Sequence, residues 1–198
     1  DKGRYSICGF EKIKKIILKK KILEIKNLRK KRIFKNIGNP LVKVDEVIKK
    51  NKFHKNKILP PMAGSFFGYL SYENIYNIEE IKKFKKRNVL KTPEILLFIP
   101  KILIIFDNVN GSIYVVRHIL KENFEKINFD RIKYEVNEIE KKINIKNKDI
   151  NININKKTKL SIKSNVKKEK FIKNIIKAKK YIQNGDIFQV VPSQRFEI

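Results

Sequence analysis

The chain has 198 residues, of which 41% are hydrophobic, and its 48 Lys and Arg residues against 20 Asp and Glu residues give a net charge of +28. This length allows one domain, or one domain and part of another, and the apolar fraction is sufficient for a core. No run of about 18 apolar residues occurs, so no membrane span is predicted, and the amino terminus has no signal-peptide pattern. A single cysteine, Cys8, excludes an internal disulfide framework and suits a reducing compartment.

The first half of the chain predicts short strands and one helix with a well-marked beginning. Asn39 suits the capping position and Pro40 the first helical position, and the apolar spacing that follows predicts a helix over 40–50. Before this helix, residues 3–9 predict a strand, and residues 12–35 predict paired strands or a strand and a loop.

An aromatic-rich segment, GSFFGYLSY at 64–72, predicts a further strand. The glycines inside it, Gly64 and Gly68, indicate a close approach of the backbone or a bulge. A short helix is predicted next, over 78–86.

The clearest long-range pattern in the middle of the chain is a β-hairpin over 93–116. Its two apolar runs are separated by a turn containing Asn110 and Gly111, residues that tolerate a positive φ. Apolar residues at helical spacing then predict a helix over 124–143 with one buried stripe.

The last part of the chain predicts a helix followed by an interior strand. The helix covers 169–184, and Gly185 stands where a left-handed cap belongs. Residues 187–191 are apolar on both faces, which is typical of a buried central strand, and Pro192 ends it.

The excess of lysine is best interpreted as a bias of composition. Only seven of the 48 basic residues are Arg, and Lys occurs in every segment. A surface that binds nucleic acid would favour Arg forks in clustered stripes. We therefore expect no specific nucleic-acid partner. A basic binding module remains an alternative from a different class, and its mark would be selective binding that survives physiological salt.

No common catalytic or metal-binding constellation can be assembled from these residues. His54 and His118 stand far apart and are expected to be structural, and Cys8 is expected to be a small buried side chain. Two His and one Cys do not make a zinc site. Buried polar side chains need hydrogen-bond partners. A cluster of polar residues at the end of the last strand is therefore expected to pin the sheet or to face a cleft. Its members are Gln189, Ser193, Gln194 and Arg195.

Four stretches carry a family pattern, in order along nearly the whole chain. They are GRYSICG at 3–9, PPMAGSFFGYLSYENIYNIEE at 60–80, TPEILLFIPKILIIFDNVNGSIYVV at 92–116 and GDIFQVVPSQRF at 185–196. Together they resemble anthranilate synthase component I, and the last stretch resembles the opening of its chorismate-binding domain. The related aminodeoxychorismate synthase stays an alternative, although four residues fit the anthranilate branch better: Phe188, Val191, Pro192 and Ser193.

The departures from the family pattern are mild. Ser65 stands where the family has Gly, Glu73 and Glu94 stand where it has Asp, and Asn108 stands where His is common.

The resemblance implies an α+β fold with mixed or antiparallel sheets and flanking helices. It implies an amino-terminal regulatory domain at 1–145, a connector at 146–166, and the first helix and strand of a truncated chorismate-binding domain at 167–198. The first residue is not Met, and the predicted interior strand has no companions here. We therefore expect a fragment of a longer protein.

For the intact protein the resemblance implies a cytoplasmic lyase of tryptophan biosynthesis. It converts chorismate to anthranilate and pyruvate with ammonia from a glutamine amidotransferase subunit, uses Mg²⁺, and is inhibited by tryptophan. The resemblance places the catalytic residues, the substrate contacts and the metal ligands after residue 198, so the chain alone is predicted to be inactive. Arg4, Tyr5 and Ser6 are expected near the inhibitor pocket. A non-enzymatic remnant of a decaying gene also stays open.

Overall fold

The computed structural model describes residues 3–28, 30–53, 57–82, 88–144 and 161–198. The chain divides into two compact units, residues 1–146 and 147–198. The described strands and helices of the first unit are β1 (Tyr5–Lys19), β2 (Ile22–Asn27), β3 (Lys31–Phe34), α1 (Pro40–Lys50), β4 (Phe67–Leu70), β5 (Ile95–Asp107), β6 (Ser112–Arg117) and α2 (Phe129–Asn144). Those of the second unit are β7 (Lys163–Ser164), α3 (Lys168–Gln183) and β8 (Phe196–Glu197). The predicted domain boundaries stay predictions, since residues 145–160 lie outside the described ranges.

One antiparallel sheet organises the described part of the first unit. Its strand order is β3-β2-β1-β5-β4, and β6 also pairs with β5. β1 runs along almost the full length of β5, from Tyr5 opposite Asp107 to Leu18 opposite Ile95. β4 and β6 pair with successive halves of β5. The predicted α+β class, with antiparallel pairing and flanking helices, is therefore confirmed.

A bulge in β1 accommodates a proline in the middle of β5. The register shifts between Lys12 and Lys14, and Lys12 lies opposite Pro100. Proline has no N–H to donate and occurs inside sheets mainly at bulges and edges. The extra residue, Ile13, is buried against Ile99. The bulge therefore keeps the long β1–β5 pairing intact on both sides of Pro100.

Helix α1 has the predicted bounds and covers the core. The side chain of Asn39 accepts a hydrogen bond from the backbone N–H of Leu41 at 2.9 Å, and Pro40 occupies the first turn. Val44 is buried, and the helix packs on a cluster drawn from β1, β2 and β5. Burial of each large aliphatic side chain contributes about 2 kcal/mol. The cluster contains Ile16, Leu18, Leu23, Ile25, Ile95 and Leu97.

The predicted hairpin is confirmed, with a four-residue connection from Asn108 to Gly111. β5 and β6 pair in antiparallel fashion, and Asp107 lies opposite Ser112 next to the turn. Gly111 has φ +67°, a left-handed conformation that glycine adopts without a steric penalty. The carboxylate of Asp107 accepts hydrogen bonds from two backbone N–H groups of this turn, at 3.1 and 3.2 Å. The turn is thus fixed by one glycine and one buried acid.

The aromatic segment at 64–72 contains a shorter strand than predicted. A 3-10 helix occupies Pro61–Gly64, and β4 covers Phe67–Leu70. The expectation of close backbone approach is confirmed, because a Cβ at Gly64 would lie 2.8 Å from Cβ of Phe53. At Gly68 an added Cβ would overlap the carbonyl oxygen of Leu96 on the neighbouring strand.

The helix predicted over 78–86 is absent from 78–82, and residues 83–86 lie outside the described part. A 3-10 helix ends immediately before this segment, at Tyr72–Asn77. His54 and most of the predicted connector also lie outside the described residues.

Helix α2 begins five residues later than predicted, at Phe129. The side chain of Asn128 accepts a hydrogen bond from the backbone N–H of Arg131 at 2.9 Å, which satisfies a free donor of the first turn. A 3-10 helix, Lys121–Lys126, precedes it. The apolar stripe is half-buried against β6 and not fully buried as predicted. Its residues are Ile132, Val136, Ile139 and Ile143.

Helix α3 ends at the predicted glycine. Gly185 has φ +78°, and its N–H donates to the carbonyl of Ile182 at 3.1 Å. The N–H of Asp186 donates to the carbonyl of Tyr181 at 2.9 Å. This pair of hydrogen bonds is the Schellman motif, in which a left-handed residue closes the helix.

The buried strand predicted at 187–191 is wrong. The segment has no strand conformation, Phe188 is fully exposed, and Val191 is 77% exposed. A buried strand requires neighbours for its peptide groups, and within the described residues no strand pairs with this segment. The short pair of β7 and β8 forms instead, with Ser164 opposite Phe196.

We predict that Gly68→Ala destabilises the first unit by about 2 to 3 kcal/mol, because Gly68 has φ +146° and an added Cβ meets the backbone of β5. Urea denaturation followed by far-UV circular dichroism measures the change. The matched control is Gly38→Ala, whose Cβ meets nothing within 4 Å, and its effect should stay within about 1 kcal/mol. Equal effects of the two substitutions would contradict the prediction.

Candidate functional site

A charged pair joins the start of β1 to the end of β5. Nη2 of Arg4 donates to Oδ2 of Asp107 at 3.0 Å, and Nε donates to Oδ1 at 3.4 Å. The carboxylate is 2% exposed, whereas the Arg4 side chain is 53% exposed. A two-pronged guanidinium–carboxylate pair fixes orientation as well as charge. The pair therefore holds the beginning of β1 at the turn that follows β5.

The environment of Asp107 favours its ionised form. The hydrogen bond from Arg4 lowers the pKa of Asp107 below its ordinary value of 3.8, and burial opposes this effect. The backbone N–H groups of Asn110 and Val109 lower it further. A carboxylate that accepts several hydrogen bonds is stabilised as an anion. Asp107 is therefore a buried negative charge with its partners in place.

The three residues predicted near an inhibitor lie together around this pair. The Arg4 guanidinium lies 4.9 Å from the ring centroid of Tyr5. The side-chain N–H of Asn108 donates to Oγ of Ser6 at 3.0 Å, and its backbone N–H donates to the carbonyl of Arg4 at 2.7 Å. The structure thus brings Arg4, Tyr5 and Ser6 into one polar cluster. Their proximity to an inhibitor stays a prediction.

Asp107 and Asn108 are cluster members that sequence reasoning did not select. In the sequence, Asp107 is the last residue of an apolar run and stands directly before the Asn-Val-Asn-Gly turn. An acidic residue before such a turn indicates side-chain acceptance of turn N–H groups. The sequence therefore indicates the contact of Asp107 with the turn. It does not indicate the ion pair with Arg4, because 103 positions separate the two residues.

The second predicted group, near the end of the chain, is only partly assembled. The N–H of Arg195 donates to the side chain of Asn165 at 2.8 Å, and Oγ of Ser164 donates to Oε1 of Gln194 at 3.1 Å. These contacts join the segment around β8 to the segment around β7. Gln189 and Ser193 are exposed. Arg195 also forms an ion pair with Glu197 at 2.7 Å.

His118 is buried and holds two chain segments together. Nδ1 lies 2.8 Å from the carbonyl oxygen of Pro100, Nε2 contacts the carbonyl oxygen of Ala63, and the residue is 3% exposed. A neutral imidazole donates through one nitrogen and an imidazolium through both. The contacts join β5 to the 3-10 helix at 61–64. These contacts agree with the structural role expected of His118.

Cys8 is exposed, so its expected burial is wrong. It lies on the part of β1 opposite Ile104, and its neighbours Ile7 and Phe10 are also 41% and 47% exposed. The core forms farther along the strand, from Ile13 onward.

The described ranges contain no group of three or more His, Cys, Asp or Glu residues placed to hold a metal ion. The described residues therefore do not provide a ligand set for the Mg²⁺ that the resemblance implies. No described helix is long and apolar enough to cross a membrane.

The fold and the ordered motifs are typical of an α+β protein from an enzyme family. Comparison with known proteins identifies that family. The sequence profile of the chorismate binding enzymes matches residues 6–198. The chain belongs to the chorismate binding enzyme family.

Two relatives and one solved structure extend this result. Anthranilate synthase component 1 of Aquifex aeolicus is 31% identical over 195 residues, which cover 98% of this chain and 39% of that protein. A probable anthranilate synthase component 1 of Schizosaccharomyces pombe is 29% identical over 161 residues, or 79% of this chain and 32% of that protein. The crystal structure of anthranilate synthase component I from Streptococcus pneumoniae has the same fold, with a TM-score of 0.68 at 23% identity, covering 99% of this chain and 42% of that chain.

The chain thus spans about a third of the length of these two curated relatives. The resemblance to anthranilate synthase component I that the four motifs indicated is confirmed by these matches.

We predict that Asp107→Asn destabilises the protein in a pH-dependent manner. The folded-state pKa of Asp107 is below 3.8, so its ionised form contributes stability above that pH, and the contribution is lost as the pH falls through the lower, folded-state value. The urea midpoints of wild type and variant should therefore differ most above about pH 5 and converge in acid.

Asp130→Asn is the control for this pH series. Asp130 is an exposed acid in the first turn of α2, and its substitution should change the urea midpoint only slightly, because an exposed charge contributes little to stability. A gap between wild type and Asp107→Asn that stays constant from neutral to acidic pH would rule out the proposed role of the Arg4–Asp107 pair.

Proposed function

We propose that this chain forms the amino-terminal part of an anthranilate synthase component 1. In this proposal the intact protein is a lyase that converts chorismate and ammonia to anthranilate and pyruvate. The observation that carries the proposal is the match to the Aquifex aeolicus relative, which extends over 98% of this chain. The four ordered motifs agree with that match.

The proposal extends to a cofactor, a partner and a regulator. The ammonia comes from a glutamine amidotransferase subunit, Mg²⁺ holds the substrate, and tryptophan inhibits. A divalent cation neutralises an anionic substrate and stabilises developing charge. We place the ligands of that ion outside the described residues, and we place the protein in the cytoplasm, which suits its single cysteine.

Within this proposal the first unit is the regulatory domain. The Arg4–Asp107 pair would fix the beginning of β1, so that Tyr5 and Ser6 stand at a defined position. This arrangement supports an inhibitor pocket beside these residues because a rigid first strand holds its side chains in one geometry.

We further propose that the 198 residues do not form anthranilate by themselves. By the resemblance, the catalytic residues lie in a part of the intact protein that the 198 residues do not cover. In agreement with this assignment, the chain covers 39% of the Aquifex aeolicus relative.

A chimera tests the function. The chain is joined to the portion of the Aquifex aeolicus protein that follows the matched region, and chorismate, Mg²⁺ and ammonium are supplied. We expect anthranilate fluorescence from the chimera and none from the 198-residue chain, since only the chimera contains a complete family domain.

The control is the same Aquifex aeolicus portion without this chain, which should be inactive. Mass spectrometry of the product separates anthranilate from aminodeoxychorismate. A chimera that is folded by circular dichroism but leaves chorismate unchanged, or that yields only aminodeoxychorismate, would refute the proposed reaction.

A further inference from the structure

A basic cavity lies away from the Arg4–Asp107 cluster, among β1, β2, β3, α1 and the 3-10 helix at 121–126. Its volume is about 570 Å³, within the range of sites for small organic molecules. Its lining includes the apolar residues Ile25, Val47 and Leu120. The cavity is therefore large enough for a compact ligand with an apolar body.

The charge of the cavity is strongly one-sided. Among the described residues that line it, six are basic and one, Glu122, is acidic. Basic groups converging on one concave space attract anions, and several of them favour a doubly charged group over a single carboxylate. The six basic residues are Lys14, Lys30, Arg32, Lys50, Lys121 and Lys126.

Lys14 distinguishes this cavity from the lysine-rich surface of the protein. Exposed lysines are expected everywhere in a chain of this composition, but Lys14 is only 6% exposed. Burial of an ammonium group is unfavourable unless partners compensate it. Burial lowers the pKa of Lys14, and nearby Glu122 opposes that effect. A bias of composition alone does not place a lysine in the interior.

The described partners of Lys14 leave room for a further acceptor. Nζ donates to the side-chain oxygen of Asn51 at 2.5 Å and lies 3.8 Å from the Glu122 carboxylate. That carboxylate also accepts a hydrogen bond from the side chain of Asn27. An ammonium has three N–H groups, so within the described residues at least one remains available. Asn51 and Glu122 thus position Lys14 without neutralising the cavity.

We propose that this cavity binds a small organic anion carrying a phosphate group, with the phosphate on Lys14 and Arg32 and the apolar body against the apolar lining residues. The site is independent of the reaction proposed above. Its occupant satisfies the free donor of the buried ammonium and offsets the positive charge of the lining.

Isothermal titration of the full chain with phenyl phosphate tests the site, because this probe combines a phosphate with an apolar ring. We expect one saturable site. Lys14→Met should weaken binding about tenfold or more, since truncating one member of a desolvated charge pair commonly has an effect of this size. The control is Lys133→Met, which removes one exposed charge on α2 outside the cavity and should change the affinity less than about twofold.

Arg32→Gln provides a second test if Lys14→Met disturbs the fold. Arg32 is exposed at the cavity, so its substitution leaves the buried residues in place and should weaken binding about threefold or more. Absence of saturable binding to the unmodified chain, or equal losses in Lys133→Met and the cavity variants, would overturn the proposal. Failure of the chimera to form anthranilate would leave this result unaffected.

Discussion

The pairing of β1 with β5 is the interaction on which the first unit depends. These two strands share a register from one end to the other, interrupted by the bulge at Ile13. Of the other described strands, β2 pairs with β1, β4 and β6 pair with β5, and β3 attaches through β2. Helix α1 then covers residues from both. Strands so distant in sequence must close a long loop to pair, and the many contacts along β1 and β5 offset that entropic cost.

The composition of the chain is compatible with this pairing because lysine and isoleucine occupy different places. Isoleucine supplies eight of the fifteen buried hydrophobic residues in the described core. Its β-branched side chain favours extended backbone and packs well on a sheet. Most lysines remain on the surface, where a flexible charged side chain is well solvated. A strong bias in composition therefore leaves the architecture of the family intact.

Two buried charges of the described sheet lie at different points along the β1–β5 pairing. Asp107 is paired with Arg4 at the beginning of β1, and Lys14 is held by Asn51 and approached by Glu122 farther along that strand. Buried charges require such partners, so both positions fix the register of β1. They differ in surroundings, because Asp107 closes a turn whereas Lys14 opens onto a cavity. This difference is the reason that only Lys14 is a candidate for contact with a ligand.

Local patterns in the sequence determined several elements of this protein. Asn39 and Pro40 specified the beginning of α1, the Asn110-Gly111 turn specified the hairpin, and Gly185 specified the end of α3. Each of these features depends on residues close together in the chain, whose backbone preferences act without help from the rest of the fold. The ordered motifs likewise identified the family.

Only the tertiary structure decided which residues meet across the sheet and which become buried. Apolar residues on both faces predicted a buried strand at 187–191, yet within the described residues no neighbour pairs with that segment. Conversely, lysine is normally exposed, yet the register beside the bulge buries Lys14. The partnership of Arg4 with Asp107 follows from the same long pairing. Burial depends on the surfaces that other segments provide, and local sequence preference does not contain that information.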